Sequence, residues 1–338
     1  MKIVLDGFGG DNSPNCVVDG AILAQEKYKD ISFVLVGKED VLLPLLDEKK
    51  YDKSRIEVID AKSVITNDDS PAESIRSKKD SSIVVAYDYL KNNDDCFAFI
   101  SAGSTGAVLS GALLKLGRIK GVLRPALAPL VPNKKGSYTL IIDCGANVDS
   151  KPMNMCQFAL MGSIYMKTLF NIEKPRVALL NVGVEEHKGN VFTKEVYSLI
   201  KQLPINFVGN MEARELTSGD YDVVVCDGFS GNVLLKATEG GALMVLSEIK
   251  NAINGSLKFK IGALFMKKQL KGLAKKLDSN KYGGSPFLGC KKTVIKSHGS
   301  SNAETILACI DQAITLNKNH INDKINEELS KVTFEGEN

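Results

Sequence analysis

"ISAGSTGAVLSGALL", residues 100–114, carries a short apolar run through a turn of small residues into an amphipathic one. Gly103 and Gly106 allow backbone N–H groups to approach an anion closely. Ser101, Ser104 and Thr105 add hydroxyls, and a helix starting at Thr105 adds its partial positive charge. The same residues also make an ordinary helix cap with close helix–sheet packing, and the stretch alone leaves both readings open. Either way it reads strand, glycine turn, helix, the unit from which α/β proteins are built.

The neighbouring sequence repeats that unit. "KIVLDG" (2–7), "SFVLVG" (32–37), "IEVID" (56–60), "CFAFIS" (96–101), "TLIIDC" (139–144), "RVALLNV" (176–182) and "DVVVCDG" (222–228) are candidate strands. They are continuously apolar rather than alternating, which suits strands covered on both faces. Residues 17–28, 81–90, 105–116, 155–170 and 232–249 read as helices between them. The order predicts a three-layer α/β/α sandwich with a mixed, mostly parallel sheet. No linker divides residues 1–338, which read as one α/β unit or as two intertwined subdomains with the site in the cleft between them.

Several strands end in polar loops, the place where open α/β sheets bind ligands. "IIDCGANVDSKP" carries Asp143, Gly145, Asn147 and Lys151, and "LLNVGVEEHKGN" carries Glu185, Glu186, Lys188 and Asn190. Asp-Gly-Phe recurs at 6–8 and 227–229, each time closing an apolar run. Lys188 reads either as an anion-neutralising cation or as a salt bridge to Glu185 and Glu186. Asn232 reads as an oxyanion donor or as a helix cap. "HGSSNAET" (298–305) has capping-box spacing at Ser301 and Glu304. His298 and Ser300 stand beside that helix start as phosphate donors or as parts of the cap.

The familiar phosphate motifs are missing. There is no G-x-x-x-x-G-K-[ST] and no G-x-G-x-x-G after a strand, and "GFSGN" (228–232) has the wrong spacing for a nucleophile elbow. Seven cysteines at 16, 96, 144, 156, 226, 290 and 309 form no C-x-x-C pair, and three histidines give a metal site few ligands. The cysteines read as small buried hydrophobes. What remains is a cleft rimmed by donors, suited to a nucleophile that arrives already charged. Inorganic phosphate is such a nucleophile. A thioester is a matching electrophile, because its thiolate leaves without strong acid help.

Charge is unevenly placed. Residues 257–281 hold eight lysines and one acid, a net +7 within a chain of net +3, so the rest carries −4. Apolar residues recur there at helical spacing, so 251–281 reads as a basic amphipathic helical segment. It fits an anionic membrane surface, a solvated dimer helix or an acidic carrier protein. Arg76, Lys78 and Lys79 offer a second basic surface for such a carrier. No nucleic-acid-binding motif accompanies the lysines. Asp6 breaks the N-terminal apolar run, which argues against a signal peptide and for a cytoplasmic protein.

"DGFGGDN", "SPAESIRSKKDSSI", "SAGSTGA", "RPALA", "DCGANVDSKP", "LLNVGVEEHKGN", "CDGFSGNVLLKATEG", "YGGSPFLG" and "IKSHGSS", in this order over residues 1 to about 315, resemble the bacterial acyl-ACP:phosphate acyltransferases, the PlsX family. The resemblance implies transfer of a fatty acyl group from acyl carrier protein to inorganic phosphate. The acyl phosphate product would pass to a membrane glycerol-3-phosphate acyltransferase. It also implies a fold like isopropylmalate dehydrogenases and phosphotransacetylases, a homodimer, peripheral contact with the inner face of the cell membrane, and no metal or nucleotide cofactor. The family's functional lysine and asparagine fall on Lys188 and Asn232. Cys144 stands where relatives often have an apolar residue, and Ser150 where a cysteine is frequent, which speaks against a catalytic thiol.

Overall fold

The computed structural model describes residues 1–277 and 283–332. Its strands are β1 (Lys2–Asp6), β2 (Ser32–Gly37), β3 (Ile56–Asp60), β4 (Cys96–Ser101), β5 (Ala126–Leu127), β6 (Leu130–Pro132), β7 (Tyr138–Ile142), β8 (Val177–Asn181), β9 (Phe207–Glu212), β10 (Val223–Val225), β11 (Ser285–Leu288) and β12 (Thr293–Lys296). The helices are α1 (Asn15–Lys27), α2 (Glu39–Asp47), α3 (Pro71–Ser77), α4 (Ser82–Asn92), α5 (Thr105–Gly111), α6 (Pro152–Phe170), α7 (Val191–Ile200), α8 (Gly228–Asn254), α9 (Leu257–Phe265), α10 (Lys267–Leu277), α11 (Ala303–Lys318) and α12 (Ile321–Ser330).

All seven strands expected from apolar runs form, and helices cover their sheets as the α/β/α expectation requires. They divide, however, between two sheets. One runs β3-β2-β1-β4-β12-β11-β5 and the other β6-β7-β10-β8-β9. Each has a parallel centre and antiparallel pairing at one end: β11 against β12 and β5 in the first, β6 against β7 in the second. The chain crosses between the sheets at Ala128–Pro129, so β5 and β6 are consecutive yet belong to different sheets.

The cores follow from the apolar runs. Val4, Val34 and Phe99 pack on one face of the larger sheet against Ile83, Tyr87 and Leu90 of α4. Every residue of α6 from Asn154 to Met166 is buried, the pattern of a helix packed on all sides. The helix expected over 105–116 is α only to Gly111 and then widens into a π turn, Ala112–Leu116. Gly111 is held against the Tyr87 ring, where any Cβ would collide.

The cap expected from Ser301 and Glu304 is displaced by one residue. Asn302 caps α11, its Oδ1 accepting from Thr305 N at 2.9 Å. Ser301 is instead buried, with its Oγ 2.7 Å from Ser297 Oγ. An Asn side chain one position later reaches the same orphan donors equally well, so spacing alone misassigned the cap.

The basic segment is helical but divided: its first residues end α8 at Asn254, and α9 and α10 follow with a break at Met266, while residues 278–281 lie outside the described residues. Among the described residues, no helix is long and apolar enough to cross a membrane.

Candidate active site

The carboxyl ends of the central strands in both sheets border a cleft of about 720 Å³. On the larger sheet, β4 ends at Ser101 and the chain turns through Ala102, Gly103 and Ser104 into α5. Ser101 is buried behind this turn. Its hydroxyl donates to Asp6 Oδ2 at 2.6 Å and accepts from Gly103 N at 3.0 Å. Gly9 lies so close that a Cβ there would sit 2.6 Å from both Asp6 Oδ2 and Gly103 N. Ser101 thus builds the turn rather than facing the cleft.

Gly103, Ser104 and Thr105 do line the cleft. No side chain caps the first turn of α5, so the plain-cap reading of Ser104 fails. Gly106 lies against Pro71, where a Cβ would come within 2.7 Å of Cγ. Its lack of a side chain serves the contact with α3.

β12 lies parallel to β4, with Lys296 opposite Ser101. This pairing sets the loop 297–301 beside the glycine turn. His298 lines the cleft, with Nδ1 accepting from Ser300 N at 3.2 Å and 2.8 Å from Ser300 Oγ. A backbone N–H only donates, so the neutral ring carries its proton on Nε2. Ser300 is therefore a support for His298 and does not itself line the cleft.

Lys296, absent from the sequence-derived candidates, also lines the cleft. Its ammonium donates to Ala102 O at 3.3 Å and to Ser297 O. Burial pushes its pKa down to about 8, against smaller opposing effects of Cys309, Asp6 and Asp11. A lysine closing the apolar run "TVIK" immediately before "SHGSS" was the available signal.

The opposite wall comes from the smaller sheet. Asp143 follows β7 and is fully buried. Its carboxylate accepts from the backbone N–H groups of Leu127, Cys144, Ala146 and Asn147 and from Asn147 Nδ2, at 2.6–3.3 Å. Asn147 also donates to Pro125 O at 2.8 Å and accepts from Gly228 N at 2.8 Å. Expected to meet substrate, Asn147 is instead committed to holding this loop in place.

Asn232 lines the cleft from the first turns of α8. It does not cap that helix. Asp227 does, with its carboxylate accepting from Ser230 N at 2.9 Å and Ser230 Oγ at 2.8 Å. Among the described residues the Asn232 carboxamide makes no hydrogen bond within the chain. Gly231 allows this placement, because a Cβ would collide with Asp143 O. Leu130, Val131, Leu235 and Ala242 add apolar surface to this wall, interspersed with Lys236, Thr238 and Glu239.

Lys188 stands apart. It is exposed in the loop after β8 and does not line the cleft. Nor does it form the salt bridge of its alternative reading: Glu186 pairs with Lys201 at 3.2 Å, and Lys188 pairs with no carboxylate among the described residues. Since β8 neighbours β10 in the sheet, its loop leaves the same edge from which α8 and Asn232 emerge.

The cysteines offer no nucleophile. All seven are free and buried. Cys144, the one that lines the cleft, is pushed up to about 12 by burial, with the Asp143 charge adding to the effect. A thiol so hard to ionise is a poor attacking group at neutral pH.

A family described as "Fatty acid synthesis protein" matches residues 1–324. The chain belongs to this family. The chain is similar to a protein named phosphate acyltransferase from Clostridium perfringens, 48% identical over all of this chain and 99% of that one. A phosphate acyltransferase from Clostridioides difficile is 46% identical with the same coverage. The chain shares its fold with more distant solved proteins. A phosphotransacetylase from Streptococcus pyogenes superposes with TM-score 0.60 at 16% identity, over 94% of each chain. The EutD phosphotransacetylase from Staphylococcus aureus gives 0.58 at 18%, also over 94% of each.

Proposed function

We propose that the protein transfers a fatty acyl group from acyl carrier protein to inorganic phosphate. The observation that carries this reading is the lining of the cleft. The loops after β4 and β12 bring hydroxyls, backbone amides, an imidazole and a half-buried ammonium, and Leu130, Val131, Leu235 and Ala242 add apolar surface among Lys236, Thr238 and Glu239. The polar groups suit phosphate and the apolar ones suit an acyl chain. A phosphate oxygen attacks the thioester carbon, the carbonyl becomes a tetrahedral oxyanion, and its collapse breaks the C–S bond. The products are acyl phosphate and the carrier's thiolate. No side chain need act as nucleophile, in keeping with the suppressed thiol of Cys144. Asn232 donates to the developing oxyanion, and Lys188 supplies a further cation from the neighbouring strand end.

The fold shared with phosphotransacetylases favours one alternative, in which the thioester is acyl-CoA. Purified protein, supplied separately with carrier-protein and CoA thioesters plus phosphate, is expected to form acyl phosphate much faster from the carrier thioester. Equal or faster use of CoA would select the alternative, and no acyl phosphate from either would remove both. Exposed, unpaired Arg76 and Lys79 offer an acidic carrier a docking surface; Lys78 is already paired with Asp69 at 2.7 Å.

The product is itself amphiphilic, and the same reading places the protein on the inner membrane face, where a glycerol-3-phosphate acyltransferase takes the acyl phosphate. It also makes the protein a homodimer; a mass in solution equal to one chain would contradict that. For the membrane, the support lies in α8–α10. Leu243 (68% exposed), Leu264 (68%) and Phe265 (84%) are held out to solvent beside the lysines of α9 and α10. Apolar residues so displayed, with cations around them, are the pattern of a surface-seated helix. In flotation, the protein is expected to rise with vesicles containing anionic phospholipid and to stay behind with neutral ones. Failure to float with anionic vesicles at low salt would defeat this.

A further inference from the structure

An ammonium group has three N–H donors and no acceptor. Lys296 gives two of them to backbone carbonyls, Ala102 O at 3.3 Å and Ser297 O. These carbonyls belong to the two loops that form the polar floor: Ala102 opens the glycine turn after β4, and Ser297 opens the loop that carries His298. Lys296 therefore ties the floor together, and one N–H is left over at a residue that lines the cleft.

The charge has no direct ion-pair partner, although Asp6 and Asp11 act on it through space. No carboxylate lies within ion-pair distance of Lys296 among the described residues. Asp6, at the end of β1, acts on it electrostatically, but its oxygens accept from Ser101 Oγ at 2.6 Å and Phe8 N at 3.2 Å. Asp11, in the loop after β1, acts on Lys296 only through space, as does Cys309 of α11. A half-buried cation without a partner is costly to keep. It becomes favourable when an anion enters beside it.

We propose that Lys296 is a direct ligand of the phosphate substrate and supplies the counter-charge on which phosphate binding depends. The inference deepens the phosphate reading of the cleft and rests on it. It places the anion against the leftover N–H of Lys296, within the ring formed by Gly103, Ser104, Thr105 and His298.

A dependence on pH follows. The groups facing Lys296 are Asp6, Asp11 and Cys309, with His298 two residues along its own loop. Burial brings Lys296 down to about 8, so it is cationic at neutral pH and loses its charge as pH rises through that value. Phosphate stays anionic throughout. If only the ammonium form binds, affinity falls about tenfold per pH unit above the pKa.

The test is calorimetric titration of the full-length protein with inorganic phosphate alone, from neutral pH to about pH 9, without thioester. Wild-type protein is expected to bind phosphate and to weaken above pH 8. Lys296→Met is expected to bind at least about 30-fold more weakly at neutral pH, with no further weakening at higher pH. Lys296→Arg keeps a charge at every pH and is expected to bind within a few-fold of wild type, with the alkaline fall abolished. In assays, Lys296→Met raises KM for phosphate and leaves KM for the thioester unchanged. Wild-type protein that binds no phosphate, Lys296→Met that binds as well as wild type, or an alkaline fall unchanged in Lys296→Arg would each overturn the proposal. If Lys296→Met does not fold by thermal melting, the arginine profile decides alone. Phosphate binding with this pH profile but no acyl phosphate formation would refute the proposed reaction and leave Lys296 as an anion ligand.

Discussion

Replacing Asp143 by leucine is expected to leave no folded protein. The wild-type carboxylate accepts five N–H groups, four from the backbone and one from Asn147 Nδ2, at a position with no solvent exposure. Leucine fills a similar volume and accepts none of them. Each buried donor left without a partner costs about 1–3 kcal/mol, and the sum reaches the roughly 5–15 kcal/mol by which a whole domain is stable. Burial raises the carboxyl's pKa, with the Leu127 and Asn147 donors pulling it back. The damage would not stay local, because this loop receives Gly228 N at the start of α8 and stands against Gly231. Asp143→Asn keeps one acceptor oxygen and should fold with a lowered melting temperature. Soluble yield and thermal melting of both variants check this, and a leucine variant melting with wild type would refute the account.

Asn232→Ala should fold normally and lose turnover by about 10²–10³-fold, the usual effect of removing one oxyanion donor. Its carboxamide has no partner among the described residues, so its loss leaves nothing there unsatisfied. The expected signature is a fall in kcat with KM for phosphate nearly unchanged, opposite to that of Lys296→Met. Lys188→Ala provides the comparison. Its exposed position makes the fold indifferent to the change, and turnover is expected to fall by about tenfold or more if the ammonium reaches the oxyanion. Normal kcat in a folded Asn232→Ala would remove that residue from the mechanism, and normal activity of Lys188→Ala would do the same for Lys188.

The candidate site was legible only in part, and the errors share one cause. Ser101 and Asn147 have the right chemistry in the right kind of loop, and both proved to be internal struts. Polar residues at strand ends either meet ligand or hold the loop that does, and residue type does not distinguish the two. Ser104, Thr105, His298 and Asn232 carry the same kinds of group but reach the cleft. Lys296 closes the apolar run of β12, and its place in the cleft follows only from the pairing of β12 with β4.

Strand β9 and the helices α2, α3 and α7 were not legible in the sequence. The sequence by itself determined the α/β class, the strands β1, β2, β3, β4, β7, β8 and β10, the helices α1, α4, α5, α6 and α8, the glycine turn after β4 and the basic segment. Those features depend on local pattern: continuous apolar runs, helical spacing, and glycine where the backbone must turn tightly. Only the tertiary structure decided that the strands form two sheets, that β12 inserts beside β4, and that Lys296 and His298 therefore join Ser104 and Thr105 across nearly two hundred residues of chain. Strand pairing at that separation is chosen by which apolar faces can be buried together. That competition involves the whole chain at once and leaves no mark on any single stretch of it.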